Sequence, residues 1–159
     1  MIISKTPYRI SFFGGGTDYP SWFKENKGKI LSTTIDKYVY LSLRDLGPFF
    51  EYKHRVIWSK VENVKDAKFI QHNVVREMIK YFKVKNGLEI HYQGDLPARS
   101  GMGSSSSFVV GLMNAFLAKK KIHLSKKELA KESISFEHKI LNEVVGIQDQ
   151  ISASFGGLN

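Results

Sequence analysis

Residues 95–107 combine two glycines with a run of serines, a composition suited to binding anions. Gly101 and Gly103 have no side chains, so the backbone there can approach a bound group closely. An apolar helical pattern begins near Ser104. The first amides of a helix lack intrahelical acceptors and lie at the positive end of its dipole. The segment therefore predicts an anion site, such as one for phosphate groups.

The same segment differs in spacing from the better-known phosphate loops. No Gly-Lys-Ser or Gly-Lys-Thr closes it, and it contains neither a dinucleotide-binding fingerprint nor the pattern G-x-S-x-G. The alternative for this segment alone is an ordinary helix, capped by a serine after a flexible turn. The residues of the segment by themselves leave both interpretations open.

Two further segments carry charged side chains. Arg9 and Asp18 lie on either side of three glycines at positions 14–16. Glu137 and Asp149 lie in the second half of the chain. Taken singly, the first pair would form a surface ion pair after a plain turn, Glu137 would be a solvated carboxylate, and Asp149 would cap a helix. Beside an anion site, however, these groups would suit phosphoryl transfer, because that reaction depends on positioning and charge neutralisation.

The predicted secondary structure changes from strands to helices along the chain. Alternating apolar and aromatic residues predict strands over residues 7–13, 30–35, 38–43, 49–58 and 88–93. Apolar spacing and a capping box predict helices over residues 69–82, from Ser104 onward, over 125–141 and over 146–154. Strands followed by helices predict an α+β domain, with helices packed on one face of a largely antiparallel sheet. Residues 155–159 resemble the start of another strand.

The composition favours one globular domain in the cytoplasm. The chain has 159 residues, 42% of them hydrophobic, which is enough for a sizeable core. The sequence has no cysteine, no apolar run of membrane-spanning length and no apolar secretory leader. Its net charge of +9 favours anionic partners without choosing between RNA, a membrane surface and phosphorylated metabolites.

In this order, the three segments resemble motifs of the galactokinase, homoserine kinase, mevalonate kinase and phosphomevalonate kinase (GHMP) superfamily. Leu96-Pro97 and Gly101-Met102-Gly103-Ser104-Ser105 resemble its ATP loop, L-P-x-G-x-G-L-G-S-S, although Arg99 stands where glycine is usual. Residues 7–19 resemble the first motif, P-x-R-x-x-x-x-G-E-H-T-D-Y. Phe136-Glu137-His138 and Gly146-Ile147-Gln148-Asp149-Gln150 resemble the galactokinase-type A-E-H and G-I-M-D-Q.

The resemblance implies a role for each matching residue, with ATP as the phosphoryl donor and Mg²⁺ as the metal ion. Ser105 and Glu137 would hold Mg²⁺. Asp149 would be the catalytic acid that faces the acceptor hydroxyl, and Arg9 the catalytic cation beside it. The nucleotide would bind Pro97, Ser100, Gly101, Met102, Gly103, Ser104, Ser105 and Ser106, with Trp58 as a candidate for packing against adenine. The acceptor sugar would bind Gly14, Gly15, Gly16, Thr17 and Asp18.

Gly15 and Gly16 replace the Glu-His pair of galactokinases, a form that resembles the heptose 7-phosphate kinase and fucokinase-like branch. The two missing side chains make room for a bulkier sugar. The resemblance implies phosphorylation of a sugar or sugar phosphate, above all at the anomeric position of D-glycero-D-manno-heptose 7-phosphate. That reaction belongs to nucleotide-activated heptose biosynthesis for lipopolysaccharide or capsule. A fucokinase-like or galactokinase-like enzyme is the nearest alternative.

The resemblance covers nearly the whole chain but lacks a glycine-rich motif of the family's carboxyl-terminal domain. We therefore expect residues 1–159 to be an amino-terminal ATP- and sugar-binding domain that is inactive alone. It would be either a piece of a longer chain or one half of a two-chain enzyme. Either form is compatible with a homo-oligomer. Nucleic acid and membrane are not expected partners. The alternative of another class is a basic RNA-binding module, because ribosomal-protein domains share a related fold.

Overall fold

The structure is a computed structural model that describes residues 1–98 and 100–159. Its elements are β1 (Ile2–Phe13), α1 (Pro20–Phe23), β2 (Leu31–Leu46), β3 (His54–Ile57), β4 (Val61–Val64), a short 3₁₀ turn (Ala67–Phe69), α2 (Asn73–Tyr81), β5 (Gly87–Gly94), α3 (Ser104–Lys119), α4 (Lys126–Ser135), a π-helical turn (Phe136–Ile140) and α5 (Gln148–Phe155).

The five strands form one sheet in the order β1-β2-β5-β3-β4. All neighbouring strands are antiparallel except β3 and β5, which are parallel. The register of β1 against β2 shifts between Pro7 and Arg9, so Tyr8 lies in a β-bulge. A bulge re-aims the side chains that follow it. Tyr8 is fully buried in the core, and Arg9 next to it extends toward the helices.

The helices cover one face of the sheet. α3 and α5 contact β1 and β2, while α2 and α4 pack against α3. Eleven residues of α3 are buried, which makes it the central helix of the core. Gly111 lets α3 approach the sheet closely, because a Cβ at this position would lie only 2.6 Å from Thr6 Oγ1. Ile3, on the other face of β1, is 62% exposed. The α+β prediction, with a largely antiparallel sheet, is confirmed.

Several predicted boundaries were wrong. The helix predicted over 69–82 begins only at Asn73, since the 3₁₀ turn precedes it and Glu62 accepts from the amides of Gln71 and His72. Only His54–Ile57 of the strand predicted over 49–58 forms a strand, and β4 was not predicted.

The helices in the second half of the chain agree more closely with those predicted from the sequence. Ser125 and Glu128 form the expected capping box, but the helix that they open changes to π geometry at Phe136. The final residues pair with β2, since Ser32 and Asn159 exchange backbone hydrogen bonds of 3.0 and 2.8 Å. Within residues 1–98 and 100–159, the helices are too short or too polar to traverse a lipid bilayer.

Candidate active site

The turn before α3 has the backbone geometry of an anion site. Gly101 and Gly103 have φ angles of 74° and 73°, in the left-handed region that favours glycine. Gly103 is the N-cap residue of α3, and no side chain caps the helix there. The serine-capped alternative is therefore wrong for this helix. Among the described residues no side chain caps the first amides of α3, which can therefore bind a ligand or water at the positive end of the helix dipole.

Arg9 connects this turn to the candidate catalytic acid. Its Nη1 donates to the carbonyl oxygen of Gly101 at 2.8 Å, and its backbone amide donates to the carbonyl of Met102 at 3.2 Å. Its Nε donates to Asp149 Oδ1 at 2.7 Å. The side chains of Arg9 and Asp149 are only 12% and 24% exposed, so solvent screens this ion pair less than a surface pair. One side chain therefore fixes the distance between the turn and the acid.

Asp149 lies in the first turn of α5 and directly beside the anion turn. A Cβ placed on Gly103 would come within 3.2 Å of Asp149 Oδ2 and 3.3 Å of Arg9 Cγ. Gly103 therefore serves two purposes, since its left-handed backbone ends the turn and its missing side chain leaves room for the acid. The sequence-predicted Arg9, Asp149 and anion turn are brought together in space, although 140 positions separate the two charged residues.

The three-glycine segment forms a tight turn on the same side of the sheet. Thr17 closes it, because its amide and its hydroxyl donate to the carbonyl oxygen of Gly14 at 3.0 and 2.7 Å. Gly14 has a φ of 88°, and a Cβ there would clash with the Lys29 carbonyl oxygen at 1.8 Å. Gly16 also has a positive φ, of 97°, with open space around it. The turn is consequently a compact wall with few side chains.

The Asp18 carboxylate is buried and already accepts hydrogen bonds from the protein, unlike a side chain that is free to bind a sugar. Asp18 is 4% exposed, and Oδ1 accepts from the amide of Gly16 at 3.0 Å. Its Oδ2 accepts from the amide of Gln148 at 3.1 Å, in the residue before Asp149. The Asp18 carboxylate therefore joins the glycine turn to the start of α5, while one side of the residue still lines the cavity described next.

A cavity of about 180 Å³ lies where these segments meet. Its walls include Arg9, Asp18, Ser105 and Asp149. Gly15 lines a neighbouring shallow depression together with Gln148, whose side chain accepts a hydrogen bond from Ser11. The sequence did not single out Gln148, because a glutamine before an acid carries no distinguishing pattern.

Glu137 lies behind this cavity and is fully buried. Its Oε2 accepts from Ser106 Oγ at 3.3 Å and from the side-chain amide of Gln150. Burial raises the pKa of Glu137 to about 7, and these two hydrogen bonds only partly oppose that effect. Glu137 lies in the π-helical turn, and its backbone carbonyl accepts from the amide of Glu143 beyond that turn at 3.0 Å.

The residues present fit a magnesium ion that is shared with a bound nucleotide. Within the described residues, Oε1 of Glu137 is a buried oxygen atom without a hydrogen-bond partner. The described part of the chain has no group of three His, Asp or Glu side chains able to hold a metal ion by itself. Magnesium keeps several waters and takes phosphate oxygens as ligands, so one carboxylate and the hydroxyl of Ser105 suffice as protein donors.

An apolar cavity of about 250 Å³ adjoins the other side of the anion turn. Trp58, His72, Tyr92 and Phe108 line it, together with Ser105, which also lines the first cavity. The rings of His72 and Phe108 are stacked with centroids 4.8 Å apart, and the Trp58 ring meets His72 edge-on at 4.9 Å. Burial lowers the pKa of His72, which keeps this wall uncharged.

Glu62 holds two walls of the apolar cavity in place. This carboxylate is 7% exposed and accepts from Trp58 Nε1 at 2.8 Å and from the His72 amide at 3.2 Å. It also accepts from the amide of Gln71. Trp58 was predicted as a candidate from the sequence, whereas Glu62, His72 and Phe108 were not predicted as site residues, because the fold brings them together.

Ser100, Met102 and Pro97 are further residues of the anion turn and the loop before it that were predicted to bind the nucleotide. Ser100 and Met102 line a shallow depression beside Arg9, and Ser100 Oγ is buried without a partner among the described residues. Pro97 is exposed. The departure from the family pattern at Arg99 lies outside the described residues.

Comparison with known proteins groups the chain with small-molecule kinases. Residues 69–157, more than half of the chain, match the family described as GHMP kinases N terminal domain. The D-glycero-alpha-D-manno-heptose 7-phosphate kinase of Campylobacter jejuni is 30% identical over 170 aligned positions, which cover 99% of this chain and 49% of that protein. A galactokinase of Thermotoga neapolitana is 26% identical over 156 positions, which cover 96% of this chain and 43% of that protein.

The solved structures give the same grouping. A D-glycero-D-manno-heptose 1-phosphate kinase from Bacteroides thetaiotaomicron superposes with a TM-score of 0.85 and 26% identity, covering 100% of this chain and 55% of that one. The chain thus spans about half the length of the relatives it matches.

Proposed function

This chain belongs to the GHMP kinase family, and on that premise we propose that the protein carrying it transfers the γ-phosphoryl group of ATP to a hydroxyl of a sugar or sugar phosphate. The observation that carries the proposal is the Arg9 side chain, which contacts both Gly101 in the anion turn and Asp149. A turn suited to phosphates is thereby joined to an acid suited to an acceptor hydroxyl.

The nucleotide would lie across the two adjoining cavities. Its base fits the apolar cavity beside Trp58 and His72, where aromatic faces can pack against a purine. Its β- and γ-phosphates fit the amides of residues 101–105, at the positive end of α3. Ser105 lines both cavities, so the path from base to phosphates is continuous.

The transfer step follows from the groups around the smaller cavity. Asp149 would accept a hydrogen bond from the acceptor hydroxyl through Oδ2, because Oδ1 accepts from Arg9. The hydroxyl oxygen then forms a bond to the γ-phosphorus while the bond between that phosphorus and the β,γ-bridging oxygen breaks, releasing ADP. The proton of the hydroxyl passes to Asp149. Arg9 stabilises the charge that develops, and its pairing with Asp149 holds both groups in place.

Magnesium, held by Glu137 and Ser105, would neutralise negative charge on the phosphates when it is bound. The protein's own contribution is to keep Glu137 aligned, which Ser106 and Gln150 do through hydrogen bonds to Oε2.

For the acceptor we propose the anomeric hydroxyl of D-glycero-D-manno-heptose 7-phosphate. The glycine turn supports a bulky sugar, because Gly15 and Gly16 present no side chains to the site. Two of the similar relatives are named as heptose phosphate kinases. The net charge of +9 is compatible with a phosphorylated acceptor. Asp18 and residues 14–17 would form the sugar-binding wall.

The second candidate acceptor is a hexose such as galactose. It is favoured by one observation, the 26% identity to a galactokinase over 96% of the chain. The two candidate acceptors would require the same phosphoryl donor and the same catalytic residues. They would differ only in their contacts with the wall formed by the glycine turn.

We also propose that residues 1–159 act as the amino-terminal, ATP- and sugar-binding domain of an enzyme with a second domain. Exposed apolar side chains near the glycine turn support this, because Phe13 and Trp22 are 72% and 47% exposed. A cytoplasmic location and a homo-oligomeric state stay predictions.

A substrate panel tests the proposed function. The natural protein that carries this chain, at full length, is mixed with Mg²⁺-ATP and with heptose 7-phosphate, heptose, fucose or galactose, and ADP release is followed in a coupled assay. We expect the highest kcat/KM with heptose 7-phosphate, and a product phosphorylated at the anomeric oxygen by ³¹P NMR. A preference for an unphosphorylated hexose would replace the heptose proposal, and ADP release that none of the sugars stimulates would contradict sugar kinase activity.

A further inference from the structure

The helix that carries Asp149 begins without a cap of its own. The N-cap residue of α5 is Ile147, whose side chain cannot accept a hydrogen bond. Its backbone angles of φ −104° and ψ −7° are also not the extended conformation that a capping residue adopts. The first amides of α5 therefore need acceptors from elsewhere in the molecule, or the turn that holds Asp149 frays.

Asp18, distant in sequence, supplies those acceptors. Its Oδ2 accepts from the amide of Gln148 at 3.1 Å, and its backbone carbonyl accepts from the amide of Ile147 at 3.3 Å. The carboxylate also lies at the positive end of the α5 dipole, where a negative charge is stabilising. Oδ1 is held by the amide of Gly16, so the carboxylate cannot rotate away without losing a second hydrogen bond.

Gly146, just before α5, packs directly against the Asp18 carboxylate. A Cβ on Gly146 would lie 1.8 Å from Asp18 Oδ2 and 2.5 Å from its Cγ. Any side chain at position 146 would therefore displace the carboxylate from the start of α5. Ser11 adds a further contact between the same segments, donating to the side chain of Gln148 at 2.9 Å.

We propose that Asp18 is a positioning residue that caps α5 from outside the helix and so fixes the Asp149 carboxylate against Arg9 and the anion turn. This role goes beyond binding the sugar, and its catalytic consequence rests on the proposed function. A sugar hydroxyl could still use a free lone pair of Asp18, but the first effect of losing the residue is on the orientation of Asp149.

Kinetics of the full-length natural protein separate the two roles. Asp18→Ala and Gly146→Ala are compared with Asp36→Asn, which changes an exposed aspartate of β2. If Asp18 positions Asp149, both site variants lower kcat by about tenfold to a hundredfold, because small misplacements of a reacting group cost that much. The acceptor KM changes by a smaller factor than kcat does. Gly146→Ala is an independent test, since it displaces the same carboxylate from the start of α5 while leaving the Asp18 side chain in the protein.

Hydrogen exchange of the same protein provides a readout that does not need activity. We expect the amides of residues 147–149 to exchange roughly fivefold faster in both site variants, the size expected for losing a helix cap. Amides in the middle of α3 should exchange at the wild-type rate. Asp18→Asn, which keeps the side-chain volume, gives a smaller change in the same direction and serves if Asp18→Ala does not fold.

Two outcomes would overturn the proposal. One is unchanged exchange at residues 147–149 in Asp18→Asn and Gly146→Ala. The other is a raised acceptor KM with unchanged kcat, which would make Asp18 a sugar ligand only. If the wild-type protein phosphorylates no sugar, the proposed function fails, and the exchange measurement still decides whether Asp18 caps α5.

Discussion

Arg9 is the residue on which the geometry of the site depends most. It donates to the Gly101 carbonyl and to Asp149, and its own amide donates to Met102. A lysine could not make the two side-chain contacts in the same way, because a guanidinium presents several donors in a fixed plane whereas an ammonium is a point charge. The bulge at Tyr8 is what lets Arg9 extend to the helix side of the sheet.

Replacing the candidate catalytic acid tests the residue closest to the chemistry. We expect Asp149→Asn to lower kcat by about 10²- to 10⁴-fold, the range for loss of a general base. ATP affinity, measured by calorimetry, should change little, because the proposed nucleotide contacts lie in the anion turn and the apolar cavity. Unchanged turnover would remove Asp149 from the mechanism. Glu51→Gln, an exposed site far from the turn, is the matched control.

The buried carboxylate of Glu137 predicts a pH dependence of stability. Because its pKa is raised to about 7, the folded protein holds a proton there that the unfolded chain releases above its ordinary pKa. Without metal, the free energy of unfolding should therefore fall as pH rises from about 4.5 to 7, by about 3 kcal/mol at most, and the contribution should be constant above that.

Thermal unfolding in the presence of a chelator measures this effect. Glu137→Gln, which resembles the protonated acid in shape, should unfold at a higher temperature than wild type at pH 8 and at a similar temperature at pH 5. Parallel pH profiles for the two proteins would show that Glu137 does not titrate in this range.

At the scale of elements, the apolar cavity depends on how β4 and α2 are joined. Glu62 of β4 accepts from the Trp58 indole and from the amides before α2. In Glu62→Gln, the NH₂ group of the new side chain is a donor and stands where the carboxylate accepted hydrogen bonds, so the walls of the apolar cavity lose support. We therefore expect ATP binding to weaken by about tenfold while the acceptor KM stays constant. Calorimetry with Mg²⁺-ATP checks this, with Glu25→Gln as an exposed control. An unaltered ATP affinity would place the base elsewhere.

The contact between α3 and the sheet gives a second prediction for the elements. Glycine to alanine normally stabilises a helix, but Gly111→Ala would bring a Cβ within 2.6 Å of Thr6 Oγ1. We expect a loss of about 1–3 kcal/mol in the free energy of unfolding, as for other overpacked cores. Asn114→Ala, at an exposed position of the same helix, should leave stability unchanged or raise it. Urea denaturation compares the two, and a more stable Gly111→Ala would show that the sheet yields without cost.

The sequence predicted best what is local or carried by a motif. The glycine turns, the start of α3 and the capping box at Ser125 follow from neighbouring residues, and the structure has them. It could not predict contacts that depend on the path of the chain. The link from Asp18 to Gln148 joins residues 130 positions apart, and the His72 ring contacts both Trp58 and Phe108. The π-helical turn at Glu137 was missed because its residues are ordinary helix formers.

For the molecule as a whole, the chain matches only part of its relatives. It covers 49% of the heptose 7-phosphate kinase and 55% of the solved heptose 1-phosphate kinase that it matches. The net charge is +9, and an RNA-binding module of related fold stays the alternative of another class. RNA binding would be strongly salt-dependent, whereas binding of a nucleotide in the aromatic cavity would be much less so.

A crystal structure of the full-length natural protein with a non-hydrolysable ATP analogue, Mg²⁺ and the preferred sugar would test whether the three segments form one phosphoryl-transfer site. We expect the γ-phosphate at the amides of residues 101–105, the base beside Trp58, and the acceptor oxygen between the γ-phosphorus and Asp149 Oδ2. A nucleotide bound away from this turn, or an Asp149 carboxylate with no acceptor oxygen in reach, would contradict this expectation.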